Sequence, residues 1–218
     1  MSEPLIRTMS GQITDRIREK ILTGAYPPGS ALLQDVIAAE FGVSKIPVRE
    51  ALVQLRAEGL VDVYAHRGFQ VRPLSSTEVD EVFRLRLQIE PAAVAEGVRL
   101  ATPGDIDAVR LAFTNLNDAL AAGELHESGE LNRAFHLALT VPRLQPVTAE
   151  ILNRLHTLSH RYVRMHLLPR GRVTRATAEH TDLYEAWTSG KADEASRLTH
   201  AHIEETRADL SSLLQAPR

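Results

Sequence analysis

The chain has no cysteine among its 218 residues. That excludes disulfides, thiolate metal ligands and cysteine nucleophiles, and it suits a reducing compartment, so a cytoplasmic location is expected. No apolar run approaches the roughly 20 residues that span a bilayer, and no membrane partner is expected. The opening MSEPLIRTMSGQ lacks a basic stretch followed by an apolar one, so no secretory signal is expected. What is present is ordinary for a globular protein: 44% hydrophobic and 24% charged residues, enough for one or two domains with real cores.

The net charge of −3 is unevenly spread. Residues 1–72 hold nine Lys/Arg against eight Asp/Glu, a net +1, and the remainder holds 16 against 20, a net −4. Histidine is more lopsided still, with eight of nine beyond residue 120.

Periodicity divides the chain. Ile13, Ile17 and Ile21, four apart, predict an amphipathic helix over 10–23, ended by Gly24 and the turn cluster YPPGS. A short helix follows at 33–41, broken by Gly42, and Ser44 can cap a third at 45–58. LVDVY and FQVR, separated by AHRG, predict a two-stranded hairpin. PLSST marks the domain boundary, with domains at 1–73 and 74–218 and Ser76 or Thr77 able to cap the next helix. Beyond it only helices are expected: 77–100 with a bend at Pro91, 103–122, 128–140, 146–167, 174–188 and 191–214. The fold class is therefore mainly α, a winged helix-turn-helix followed by an all-α bundle.

The turn FGVS has a physical logic. Two steeply crossing helices need a sharp reversal; Gly42 can take the left-handed conformation and Val43 can fill the space between them. In the third helix Val48, Leu52 and Leu55 form a stripe for burial, while Lys45, Arg49 and Arg56 fall elsewhere. Such a helix can lay its first turn in the major groove of double-stranded DNA. Arg49 can pair with guanine O6 and N7, Ser44 and Lys45 can reach phosphates or base edges, and Ile46 can touch a thymine methyl. Arg67, at the hairpin tip, can enter the minor groove where Gly68 permits close approach. A small helical domain with a solvated basic face would show the same periodicity.

In the second part, Asn132 and His136 share a helix face, and His180 and His202 lie on later helices. Imidazoles converging from several helices can hold a divalent ion. His156 and His160, also four apart, are as good a pair on spacing alone, and of His200 and His202 only one can face a given site. Arg86 lies among Val79, Val82, Ile89 and Ala93 on an inward stripe and needs a partner, either Glu90 one turn on or a ligand carboxylate. A metal-dependent hydrolase would need a base beside the metal; no HExxH occurs, and no acidic residue has the spacing of one.

The stretches IREKILTGAYPPGSAL and FGVSKIPVREALVQLRAEGLVDVYAHRGFQV closely resemble the winged helix-turn-helix of the GntR family of transcription regulators, whose hallmark reads GVS-x-x-PVREAL-x-x-L-x-x-EGL before a glycine-tipped wing. EVFRLRLQIEPAAVA, LNRAFHLAL, AEHTDLYEAWTSG and HIEE resemble the helical ligand-binding (FCD) domain of its FadR subfamily. The resemblance implies a homodimeric regulator, a repressor in the usual case, that binds an operator and responds to a small carboxylate effector. It carries the DNA contacts to Ser44, Lys45, Ile46, Arg49 and Gly68, and the effector contact to Arg86. It implies a divalent metal (zinc, nickel or manganese) on Asn132, His136, His180 and His202. His202 is preferred to His200 because it follows Gly190 by the family's twelve residues. Two departures stand out: Lys45-Ile46 replaces a common Arg-Thr, and Asn132 replaces the family's aspartate.

Overall fold

The computed structural model describes residues 8–64, 68–123, 125–141, 144–167 and 171–215, with the side chains of 125–127 and 163–167 set aside. The chain forms two compact units, Met1–Leu74 and Ser75–Arg218.

In the first unit the order is α1 (Met9–Leu22), β1 (Ala31–Leu32), α2 (Gln34–Phe41), α3 (Lys45–Ala57), β2 (Val61–Tyr64) and β3 (Gly68–Val71). The four-residue isoleucine repeat of α1 is buried against Val48, Ala51, Leu52 and Leu55 of α3, closed by Leu60 and by Val61 and Val71 from the sheet. Full burial of each such aliphatic side chain contributes roughly 1.5–3 kcal/mol, which holds α3 rigidly by its apolar face. Arg18 fixes the far end, its Nε and Nη2 donating to the two carboxylate oxygens of Glu58 at 2.8 and 2.7 Å. The sheet has a third strand that the sequence reading did not contain. β1 pairs antiparallel with β3 (Ala31 opposite Gln70, Leu32 opposite Phe69), making the order β1-β3-β2. A two-residue strand carries no alternation, so it leaves no periodic trace.

The second unit is helical throughout its described residues: α4 (Ser76–Leu100), α5 (Pro103–Ala122), α6 (Leu125–Leu139), α7 (Pro146–Leu167), α8 (Arg172–Thr188) and α9 (Ala192–Gln215). Ser75, rather than Ser76 or Thr77, caps α4, accepting from the Glu78 amide at 3.3 Å. The helix runs through Pro91 to Leu100 as one element. Its core joins Val94, Leu116, Phe135, Leu139, Leu183 and Trp187. The Trp187 indole N–H donates to the Leu139 carbonyl at 2.9 Å, satisfying the one polar atom this ring brings inside. Helix α4 packs along α9 and α7, and α6 lies between α5 and α7, so the residues facing inward from α4, α6, α8 and α9 meet in the bundle interior.

Candidate functional site

Helix α3 presents an unusual first turn. Gly42 ends α2 at φ 67°, left-handed, and the Val43 amide donates back to the Ala38 carbonyl at 3.0 Å, which makes the sharp reversal. With Val48, Ala51, Leu52 and Leu55 turned inward, Ser44, Lys45, Ile46 and Arg49 all stand in solvent. Ile46 is 71% exposed, an aliphatic side chain displayed to solvent. Ser44 occupies the N-cap position, but its side chain makes no capping bond, contrary to the sequence expectation. The first-turn amides and this hydroxyl therefore remain available to an anion. Lys45 Nζ lies 2.5 Å from Asp35 Oδ1, an exposed pair that a phosphate can replace at little cost. Gly68 begins β3 at φ 71°, a left-handed conformation at an exposed tip. Arg67 lies outside the described residues.

The second unit contains a pocket, partly open to solvent, with Phe83, Arg86, Asn132, His180, His202 and Thr206 among its lining residues. Helix spacing explains the convergence. Asn132 and His136 are one turn apart on α6, while His180 comes from α8 and His202 from α9. His136, His180 and His202 are buried, and one donor atom from each lies within 4.8 Å of the others. The ring centroids stand 5.5 Å (136–180), 5.1 Å (136–202) and 4.7 Å (180–202) apart. His200 is exposed, so of that pair His202 is the one turned inward. The donor set fits a divalent ion: three converging neutral-capable nitrogens, with His136 Nε2 buried and lacking a hydrogen-bond partner among the described residues.

Behind this cluster lies a carboxylate that the sequence offers only as one of two possible partners for Arg86. Glu90 is fully buried and receives Arg86 bidentately, Nε at 2.8 Å and Nη2 at 3.2 Å. Its oxygens also lie 2.8 Å from His136 Nδ1 and 3.2 Å from His156 Nε2. Burial alone would push the Glu90 carboxyl up; the Arg86 guanidinium, followed by the two imidazoles, outweighs that and holds it well below the usual range. Burial, reinforced by the Arg86 charge, lowers His156 to about 3, so this imidazole is neutral and donates or accepts without adding charge.

Arg86 thus has Glu90 as its partner and still lines the cavity with Asn132 and two of the histidines. His156 and His160, the rival pair, do not join the triple-histidine group: His156 belongs to the Glu90 network, and His160 is buried against Gly129. Reasoning from sequence missed Glu90 as a hub and Glu179, which meets the His202 ring at 2.6 Å. Glu90 had a local signal, since it is one turn from Arg86. Glu179 had none, because its partner lies on another helix.

Comparison with known proteins places these two units. The family model described as "Bacterial regulatory proteins, gntR family" matches residues 9–71, and that of the FCD domain matches residues 81–205. The chain is 29% identical over 144 residues to the HTH-type transcriptional regulator McbR of Escherichia coli (strain K12), covering 66% of this chain and 65% of that protein. It is 26% identical over 207 residues to the HTH-type transcriptional repressor RspR of the same organism, covering 94% and 90%. The solved structure of E. coli McbR/YncC superposes with a TM-score of 0.82 at 22% identity, over 95% of this chain and 99% of that one, a likeness of fold.

Proposed function

The chain belongs to the GntR family of bacterial regulatory proteins and carries an FCD domain, and from that premise we propose that it is a repressor whose hold on its operator is controlled from the histidine-lined cavity. The family and its relatives are transcription regulators, not enzymes. The observation that carries the finer reading is the cavity itself: a guanidinium, an amide and two imidazoles line one pocket, with a third imidazole adjoining them in the same buried cluster.

On the DNA side, the exposed first turn of α3 enters the major groove. Arg49 pairs with a guanine edge, Ile46 meets a thymine methyl, and Ser44 with Lys45 binds phosphate, Lys45 leaving Asp35 to do so. The wing, through Arg67 and Gly68, follows the adjacent minor groove. A homodimer presents two such heads, so the operator is a pseudo-palindrome with two half-sites.

On the sensing side, His136, His180 and His202 hold a divalent ion with Asn132 as the fourth donor. Imidazole donors favour zinc or nickel over manganese. When bound, the ion supplies a positive centre that attracts an anion. Arg86 supplies a second, so a small carboxylate is the effector chemistry the pocket suits. Occupancy draws α4, α6, α8 and α9 together and changes the separation of the two DNA-reading heads in the cytoplasmic dimer. The test is to select genomic fragments with the purified protein, identify the neighbouring genes, and titrate the recovered operator with zinc and with small carboxylates drawn from that pathway. Release of the operator by one of them supports the reading. Operator binding indifferent to zinc and to every carboxylate tried contradicts it.

A further inference from the structure

Three imidazoles and an amide bring no negative charge to a dication, and among the described residues the lining of the cavity holds no carboxylate. The structure contains two carboxylates placed one step farther out. His202 Nδ1 lies 2.6 Å from Glu179 Oε2, and His136 Nδ1 lies 2.8 Å from Glu90 Oε1. We propose, resting on the metal reading above, that Glu179 is a positioning residue for the cation: it accepts a hydrogen bond from the Nδ1–H of His202, turns Nε2 toward His136 and His180, and supplies negative charge missing at Asn132.

An ionised carboxylate has acceptors only, so a contact with imidazole Nδ1 places the proton on that nitrogen and leaves the Nε2 lone pair as the ligand. The same contact raises the basicity of the ring. Glu179 is itself anchored, its other oxygen 3.1 Å from Arg175 Nε, and it stands immediately before His180, so one turn of α8 delivers a ligand and the support for a ligand on α9. Glu90, His136 and His156 also form a group with metal-like spacing. That group is a poor cation site, because Arg86 already occupies both oxygens of Glu90 and its fixed charge repels a dication. Glu90 acts through His136 instead.

The test uses the full chain, stripped of metal and titrated with zinc by calorimetry. In Glu179→Gln and Glu179→Ala zinc affinity falls roughly 10- to 100-fold, more in the alanine variant, while the melting temperature of the metal-free protein holds. In the metal-free protein, imidazole nitrogen NMR shows His202 protonated at Nδ1, and Glu179→Ala releases it toward the commoner Nε2–H form. Unchanged zinc affinity in both variants, with wild type binding one ion per chain, overturns the role of Glu179 alone. A wild-type protein that takes up no zinc overturns the metal reading, and this assignment with it.

Discussion

Removing Arg86 leaves the fully buried Glu90 carboxylate without its main counterion. Arg86 is 4% exposed and Glu90 0%, and they meet through two hydrogen bonds, so neither is relieved by water. Breaking a buried pair from one side costs about 3–5 kcal/mol. In a chain of this size each kcal/mol lowers the melting temperature by roughly 2–4 °C, so Arg86→Met should melt about 10 °C below wild type. Arg86→Met combined with Glu90→Gln should recover most of the stability, because replacing both partners removes the uncompensated charge. Thermal unfolding of the metal-free wild type, both single variants and the double variant, followed by circular dichroism, closes the cycle. Additive losses would refute the reasoning, since they would mean that Arg86 and Glu90 are not each other's principal partner.

Three further outcomes follow from particular residues. Asn132→Asp should raise zinc affinity by roughly tenfold or more in calorimetry, as a carboxylate adds charge where attraction is strong; an unchanged affinity would remove residue 132 from the site. His160 is lowered to about 4 by burial, so below its unfolded value of about 6.5 the unfolded chain takes up a proton that the folded chain refuses. Stability from this group is thus present above pH 6.5 and falls as pH drops toward 4, by about 2 kcal/mol at pH 5, and His160→Leu should flatten the urea-midpoint profile between pH 7 and 5 by about that amount. At Gly97 an added Cβ would fall 2.3 Å from the Leu139 backbone carbonyl, so Gly97→Ala should destabilise by about 1–3 kcal/mol in urea melts despite alanine's better helix propensity, and a neutral result would mean α4 and α6 are not so close.

Much of the architecture was legible because the signals were local. The isoleucine repeat of α1, the Gly42 reversal and the apolar stripe of α3 are each set by spacing within one element, and all appear as read. What escaped was set across elements. Strand β1 exists only because β3 offers its edge, and the α4 cap went to Ser75 although two later residues were equally suited by type. In the cavity, spacing left Asn132 with His136 and His156 with His160 as equally good pairs, and only the packing of the helices brings His136 together with His180 and His202. The same holds for Glu179 and His202, 23 residues apart on different helices.

The most direct test of the account is the affinity of Arg49→Ala for an operator fragment recovered from the genome, measured by fluorescence anisotropy beside an unrelated fragment at the same salt concentration. Arg49 is exposed on a helix whose buried face it does not touch, so the variant should fold as wild type does. The account predicts a roughly 10- to 100-fold loss on the operator, the worth of one bidentate base contact of about 1–3 kcal/mol, and a much smaller loss on unrelated DNA. Equal operator affinity for a folded Arg49→Ala protein and wild type would contradict it.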